Sequence, residues 1–264
     1  MRIVFLLFLT CFLSGVLHAQ SPNNDTVIVD TLKVVDTETL NKSNLSIATK
    51  IVPKDKIYVF ELNEAIFPAA WRKVKSAVEE AEALKVDYII MHLNTYGGAV
   101  DMADSIRTKL LKAKPTTIAF IDNNAASAGA LISLACDSIY MVGGAQIGAA
   151  TVVNQSGEQM PDKYQSYMRA TMRSTAEAQG RDPRIAEAMV DDRIAILGII
   201  DSAKTLTFTT SEALKYGFCE AKFNNVEEVI AHLVPSGQAV VKKYEPSWID
   251  MVIGFLSTPM LSGF

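Results

Sequence analysis

Ser127 stands in the run Asp122–Ala135, DNNAASAGALISLA, where a small residue, a serine and Ala-Gly open a short apolar stretch. A serine at the mouth of a helix raises its hydroxyl beside N–H groups that have no partner within the helix. A nucleophile and half of an oxyanion hole can be built there, so the chemistry on offer is acyl transfer. Close helix packing or an ordinary N-cap accounts for such a triplet equally well. A hydroxyl also needs a base within hydrogen-bond reach. His18, His92 and His232 are far apart, and His92 alternates with Met91 and Leu93 as a packed strand residue would. No Ser-His-Asp set can be assembled from them. A desolvated lysine is the other choice. Lys163 follows Pro161 at the start of a helical stretch, whereas Lys73, Lys75 and Lys109 sit on polar helix faces. A solvated first-turn lysine is the plain alternative for Lys163. Gly97-Gly98 can present a backbone N–H without side-chain obstruction, and Ala128 supplies a second N–H next to Ser127. A tight turn into a helix is compatible with both roles.

Repeated strand–helix units must position these residues. Ile57–Leu62 reads as a buried strand. Pro68–Leu84 follows with Trp71, Val74, Val78, Ala81 and Leu84 on one helical face. Tyr88–Leu93, Ala99–Ala113 and Thr117–Ile121 continue the alternation, which predicts parallel strands joined by right-handed crossovers. In such a sheet ligands bind beyond the carboxyl ends of the strands. The Gly97-Gly98 turn and the expected loop Asn123–Gly129 both fall on that edge. Ser138–Val142 is the next strand, and the small residues of Gly143–Ala150 suit close backbone approach. Helices are expected from Pro161 to Ala178, Pro183 to Val190, Ser211 to Gly217 and Val226 to Leu233, with a short strand at Leu206–Thr209.

The net charge is −4 with scattered basic residues, which excludes a nucleic-acid surface. Cys11, Cys136 and Cys219 lack the spacing of a zinc site, and neither a metal nor a cofactor is expected. Met1-Arg2, the apolar run Ile3–Leu13 and Leu17-His18-Ala19 form a secretory signal pattern over residues 1–19, which would remove Cys11. Cys136 and Cys219 are then expected as buried thiols. Residues 20–53 are rich in Asn, Asp, Ser and Thr and read as a polar tether, residues 54–245 as the globular domain. Residues 246–264, apolar from Trp248, are too short and interrupted to span a bilayer, and are expected at a membrane interface or as the start of a membrane region.

Asn94-Thr95-Tyr96-Gly97-Gly98, then Ala125-Ala126-Ser127-Ala128-Gly129, then Gln146-Ile147-Gly148-Ala149 resembles the Clp/crotonase superfamily of serine peptidases. Within it the chain is most similar to the NfeD-type, stomatin-associated membrane proteases, through Lys163, Gly180-Arg181 and Leu206–Gly217. The resemblance spans about Lys54 to Leu233. It implies an α/β fold of repeated β-β-α and βαβ units with helices around a parallel sheet. It also implies a Ser-Lys dyad of Ser127 and Lys163, with Gly97, Gly98 and Ala128 at the oxyanion hole. The position where Clp peptidases carry their histidine falls near Val152, and no histidine is there. Tyr96 replaces the family's usual proline, a change in loop stiffness more than in chemistry. The resemblance further implies export, a protease domain on the extracytoplasmic side of a membrane, apolar peptide substrates, a stomatin-like partner, and a homodimer or larger assembly. Two other functions share these features: a non-catalytic scaffold for a stomatin-like protein, and an acyl-CoA enzyme. The signal pattern and the lack of a placed carboxylate base oppose the latter.

Overall fold

In the computed structural model of the protein, residues 54–246 are described. The expected signal peptide, the tether and the apolar segment from Trp248 lie outside the described residues. The opening alternation is present as β1 (Lys56–Leu62), α1 (Pro68–Leu84), β2 (Tyr88–Thr95), α2 (Val100–Leu111) and β3 (Thr116–Ala126). Then follow α3 (Ala128–Leu134), β4 (Ser138–Met141), β5 (Gln146–Gly148), α4 (Asp162–Ala178), α5 (Pro183–Ala188), β6 (Thr207–Thr209), α6 (Thr210–Lys215), β7 (Ala221–Lys222), α7 (Val226–Leu233) and β8 (Val240–Lys243).

Among the described residues these strands form one sheet in the order β6-β5-β3-β2-β1-β8, with β4 beside β3 and β7 beside β4. Every strand pair is parallel except β5 with β6. The α/β class with a mostly parallel sheet is therefore as expected. Side chains alternate across it, as the two-residue period of a strand requires. Tyr58, Phe60, Leu62, Ile89, Met91 and Leu93 join the core on the side of α1 to α4. Ile57, Val59, Ile90, Ile118 and Phe120 pack on the other side, against Val229 of α7. Burial of both faces explains why these strands read as nearly continuous apolar runs.

Pro68 opens α1 at its first turn, where a missing N–H removes nothing. A reciprocal Thr209–Glu212 capping box starts α6. Cys136 and Cys219 are free and buried, as expected. Burial pushes both thiols up to about 12. No helix among the described residues is long and apolar enough to cross a membrane.

Two expectations need correction. The third strand does not end at Ile121: β3 runs to Ala126, because Asn124, Ala125 and Ala126 pair with Gln146, Ile147 and Gly148. The stretch expected to begin a loop at Asn123 is thus held rigidly up to the serine. The strands β7 and β8 were not anticipated. β8 is exposed throughout and pairs Lys56–Val59 with Val240–Lys243 at the sheet edge.

Candidate active site

The site is built where β2 and β3 end. Thr95 closes β2, buried, and its hydroxyl donates to the Glu64 carbonyl at 2.7 Å while accepting from the Gly97 N–H at 3.2 Å. Ile66 N–H donates to Gly97 O at 2.9 Å, and Ala99 N–H to Ile66 O at 2.8 Å. These bonds strap the Gly97-Gly98 turn flat against Ile66. A Cβ on Gly98 would stand 2.3 Å from Ile66 O, so the approach requires glycine.

Ser127 sits between β3 and α3 at φ 55°, ψ −116°, a positive-φ conformation that costs a non-glycine residue about 1–3 kcal/mol. Its N–H donates to Gly148 O at 2.8 Å, extending the β3–β5 ladder by one bond. Its hydroxyl caps no N–H of α3, so the N-cap alternative fails. Every residue of α3 is buried, so the helix anchors the turn by packing. Gly129 lies against Thr95, where a Cβ would meet the threonine methyl at 2.7 Å. The carbonyl end of α3 accepts from Gln179 at 2.9 Å (Ala135 O), and the buried Arg181 guanidinium donates to Cys136 O at 3.1 Å.

Ser127, Gly98 and Ala128 open together onto a cleft of about 50 Å³ whose other walls include Val100, Ala103, Ala150, Val152 and Met168. Ala128 begins α3, and its N–H is one of the four without a partner inside the helix. No hydrogen bond from the Gly98 N–H is found among the described residues, whereas that of Gly97 is engaged by Thr95. Gly98 and Ala128 are therefore the donors open to a ligand. Gly97 packs against the serine: a Cβ there would lie 2.7 Å from Ser127 Cβ.

Lys163 is not in this cleft. It is exposed on the first turn of α4 and lines an adjoining groove of about 890 Å³, with its ammonium 4.8 Å from the Tyr164 ring centroid. Val100, Val152 and Val153 line both spaces, so the groove and the cleft share a wall. Met160, Tyr164 and Tyr167 make the groove largely apolar, and Asp101 and Asp104 are its carboxylates. His92 lies elsewhere, on the opposite face of the sheet, 3.7 Å from Asp122.

Gln165, which sequence reasoning missed, ties the groove together. It is buried, accepts from Val152 N–H at 3.0 Å, and donates to Val152 O at 2.7 Å and Met160 O at 3.1 Å. Its signal was present: Gln165 is a polar residue on the stripe of Met168, Met172 and Ala176. The same helix is clamped by Arg169 and Arg193 onto Asp162 and Asp191. The Arg193 hydrogen bond holds the Asp191 carboxyl down at about 2, so this clamp stays ionised at neutral and mildly acidic pH.

Comparison with known proteins gives a consistent picture. The family model described as NfeD1b, N-terminal domain, matches residues 56–243. Membrane protein NfeD1b of Bacillus subtilis is 29% identical over 213 residues, covering 79% of this chain and 48% of its own length. Membrane-bound protease PH1510 of Pyrococcus horikoshii is 27% identical over 236 residues, covering 81% and 51%. The chain thus spans about half the length of the curated relatives it matches. Among solved structures, the 1510-N membrane-bound stomatin-specific protease, as a lysine-to-alanine mutant with a substrate peptide, matches with a TM-score of 0.65 at 26% identity, covering 77% of this chain and 98% of that one. Its serine-to-alanine mutant matches with a TM-score of 0.63 at 26% identity, covering 74% and 100%.

Proposed function

We propose a function from this premise: the chain belongs to the NfeD1b N-terminal domain family. It is a serine endopeptidase that works at a membrane and cleaves apolar segments of membrane proteins. The observation that carries this reading is the convergence at Ser127. An uncapped hydroxyl, two open N–H donors and an apolar groove meet at one cleft.

Ser127 Oγ attacks the scissile carbonyl carbon while the Lys163 amine takes the hydroxyl proton. The Gly98 and Ala128 N–H groups receive the developing oxyanion. As the C–N bond breaks, Lys163 returns the proton to the leaving amine. Water, deprotonated by Lys163 in turn, then hydrolyses the Ser127 ester. An apolar segment filling the groove lies against Lys163 and excludes water from the reacting atoms. A stomatin-like protein is the proposed partner and substrate, as the name of the structural relative suggests. The region from Trp248 brings the domain to the membrane on the extracytoplasmic side, and the unit is a homodimer or larger.

One observation favours a non-catalytic scaffold instead: Lys163 lies outside the cleft of Ser127. A fluorophosphonate probe separates the two. Labelling of the wild type but not of Ser127→Ala is expected. An unlabelled wild type would establish the scaffold.

Gly97→Ala tests the oxyanion side. The added methyl meets Ser127 Cβ at 2.7 Å, Ser127 Oγ at 3.1 Å and Ala126 O at 3.2 Å, at φ +107° where side chains are strained. Either the nucleophile or the strap moves. Turnover of an apolar peptide is expected to fall on the order of 10²–10³-fold, as when an oxyanion donor is lost. The melting temperature should fall as well. Wild-type turnover in this variant would take Gly97 out of the site.

A further inference from the structure

Resting on the peptidase reading above, we infer that the cleft at Ser127 is a size-limited pocket for a small aliphatic side chain. This side chain belongs to the residue that donates the scissile carbonyl, and Met168 and Ala103 set the limit. In serine acyl transfer that residue's side chain lies in the pocket beside the nucleophile, and the pocket's shape selects it. The cleft here is closed by Ala103 of α2 and Met168 of α4, both almost fully buried. Thr151, its one polar side chain besides Ser127, is turned to other partners: its hydroxyl donates to Val190 O at 2.9 Å and lies 3.4 Å from Thr205 Oγ1. No charged side chain lines the cleft, so a charged or strongly polar residue entering it would lose its water without gaining a partner.

Volume decides among the apolar residues. The cleft holds about 50 Å³, whereas an apolar cavity of about 150 Å³ admits benzene. An aromatic ring therefore does not fit, and small aliphatic side chains such as those of alanine and valine come nearest to the space available. The groove of about 890 Å³ beside it accepts larger apolar side chains from the rest of the segment. The preferred cleavage point is then a small aliphatic residue within a bulky apolar stretch.

The test uses acetylated tetrapeptide acids of apolar sequence ending in alanine, valine, leucine or phenylalanine. Their last residue takes the acyl-side position by construction. Affinities are measured by calorimetry, alongside hydrolysis of matching internal peptides. Valine is expected to bind at least about 10-fold better than phenylalanine, in line with the discrimination a few misfitting methylenes produce. Met168→Ala should bring phenylalanine and leucine level with valine or above it. Ala103→Val, which narrows the same cleft from the opposite wall, should cost valine affinity and spare alanine. The two variants move in opposite directions, so a fold lost in one leaves the other to decide. Equal affinity for all four peptides, no binding of any, or a ranking that neither variant shifts would overturn the pocket. Retained ranking without hydrolysis would support the pocket and sink the peptidase reading.

Discussion

Replacing Ser127 by alanine is expected to abolish cleavage of an apolar peptide while leaving the fold in place. The hydroxyl caps no helix N–H, so its removal breaks no bond of the α3 turn. The backbone bond that holds the turn, Ser127 N–H to Gly148 O, survives the substitution. The strained φ of 55° persists too, and alanine tolerates it about as well as serine. Loss of a serine nucleophile removes on the order of 10⁶-fold in kcat when the residues act as a unit. Peptide cleavage followed by mass spectrometry measures the activity, and circular dichroism melting measures the fold. Cleavage within tenfold of wild type would remove Ser127 from the chemistry.

Lys163 carries the second large effect, and two substitutions at it separate a base from a binding charge. Lys163→Ala removes both. Lys163→Arg keeps the positive charge but cannot give up its proton at any working pH. If Lys163 is the base, both variants lose on the order of 10⁴-fold or more, as catalytic members of a serine triad do. If it only holds a substrate or a carboxylate such as Asp101 by charge, arginine restores most of the rate. The side chain is exposed, so neither change is expected to move the melting temperature appreciably.

Much of this site was legible because its parts leave local signals. The strands β1 and β2 are runs of residues that bury both faces, and α1 and α2 repeat at helical spacing. The Gly-Gly turn and the Ser-Ala-Gly start mark two places where backbone must come close. The end of β3 was not legible. Asp122-Asn123-Asn124 disfavours strand locally, and only pairing with Gln146–Gly148, distant in sequence, overrides that preference. β8 was missed for a related reason: an exposed edge strand has no buried face to impose a pattern. Gln165 showed only as a polar residue on an apolar stripe, and its two-way bonds to Val152 depend on a tertiary contact that no local pattern records. The separation of Lys163 from Ser127 is likewise a matter of where α4 docks, which no local spacing records.

The strand β3 serves two partners in turn, β4 along Ile118–Ile121 and β5 along Asn124–Ala126. The segment Val142–Ala145 joins those partners, and Gly148 lies just beyond it, holding the N–H of Ser127. Its length therefore sets the height at which the nucleophile stands. One residue added or removed there would slide Gly148 along the ladder and reverse which side its carbonyl faces. The exposed turn Asn154–Glu158, which bonds mainly to itself, carries no such constraint. Epitope tags and reporter loops can be accommodated at the tip, Ser156-Gly157, clear of the groove that Asn154 and Gln155 line, while the 142–145 connector behaves as a ruler.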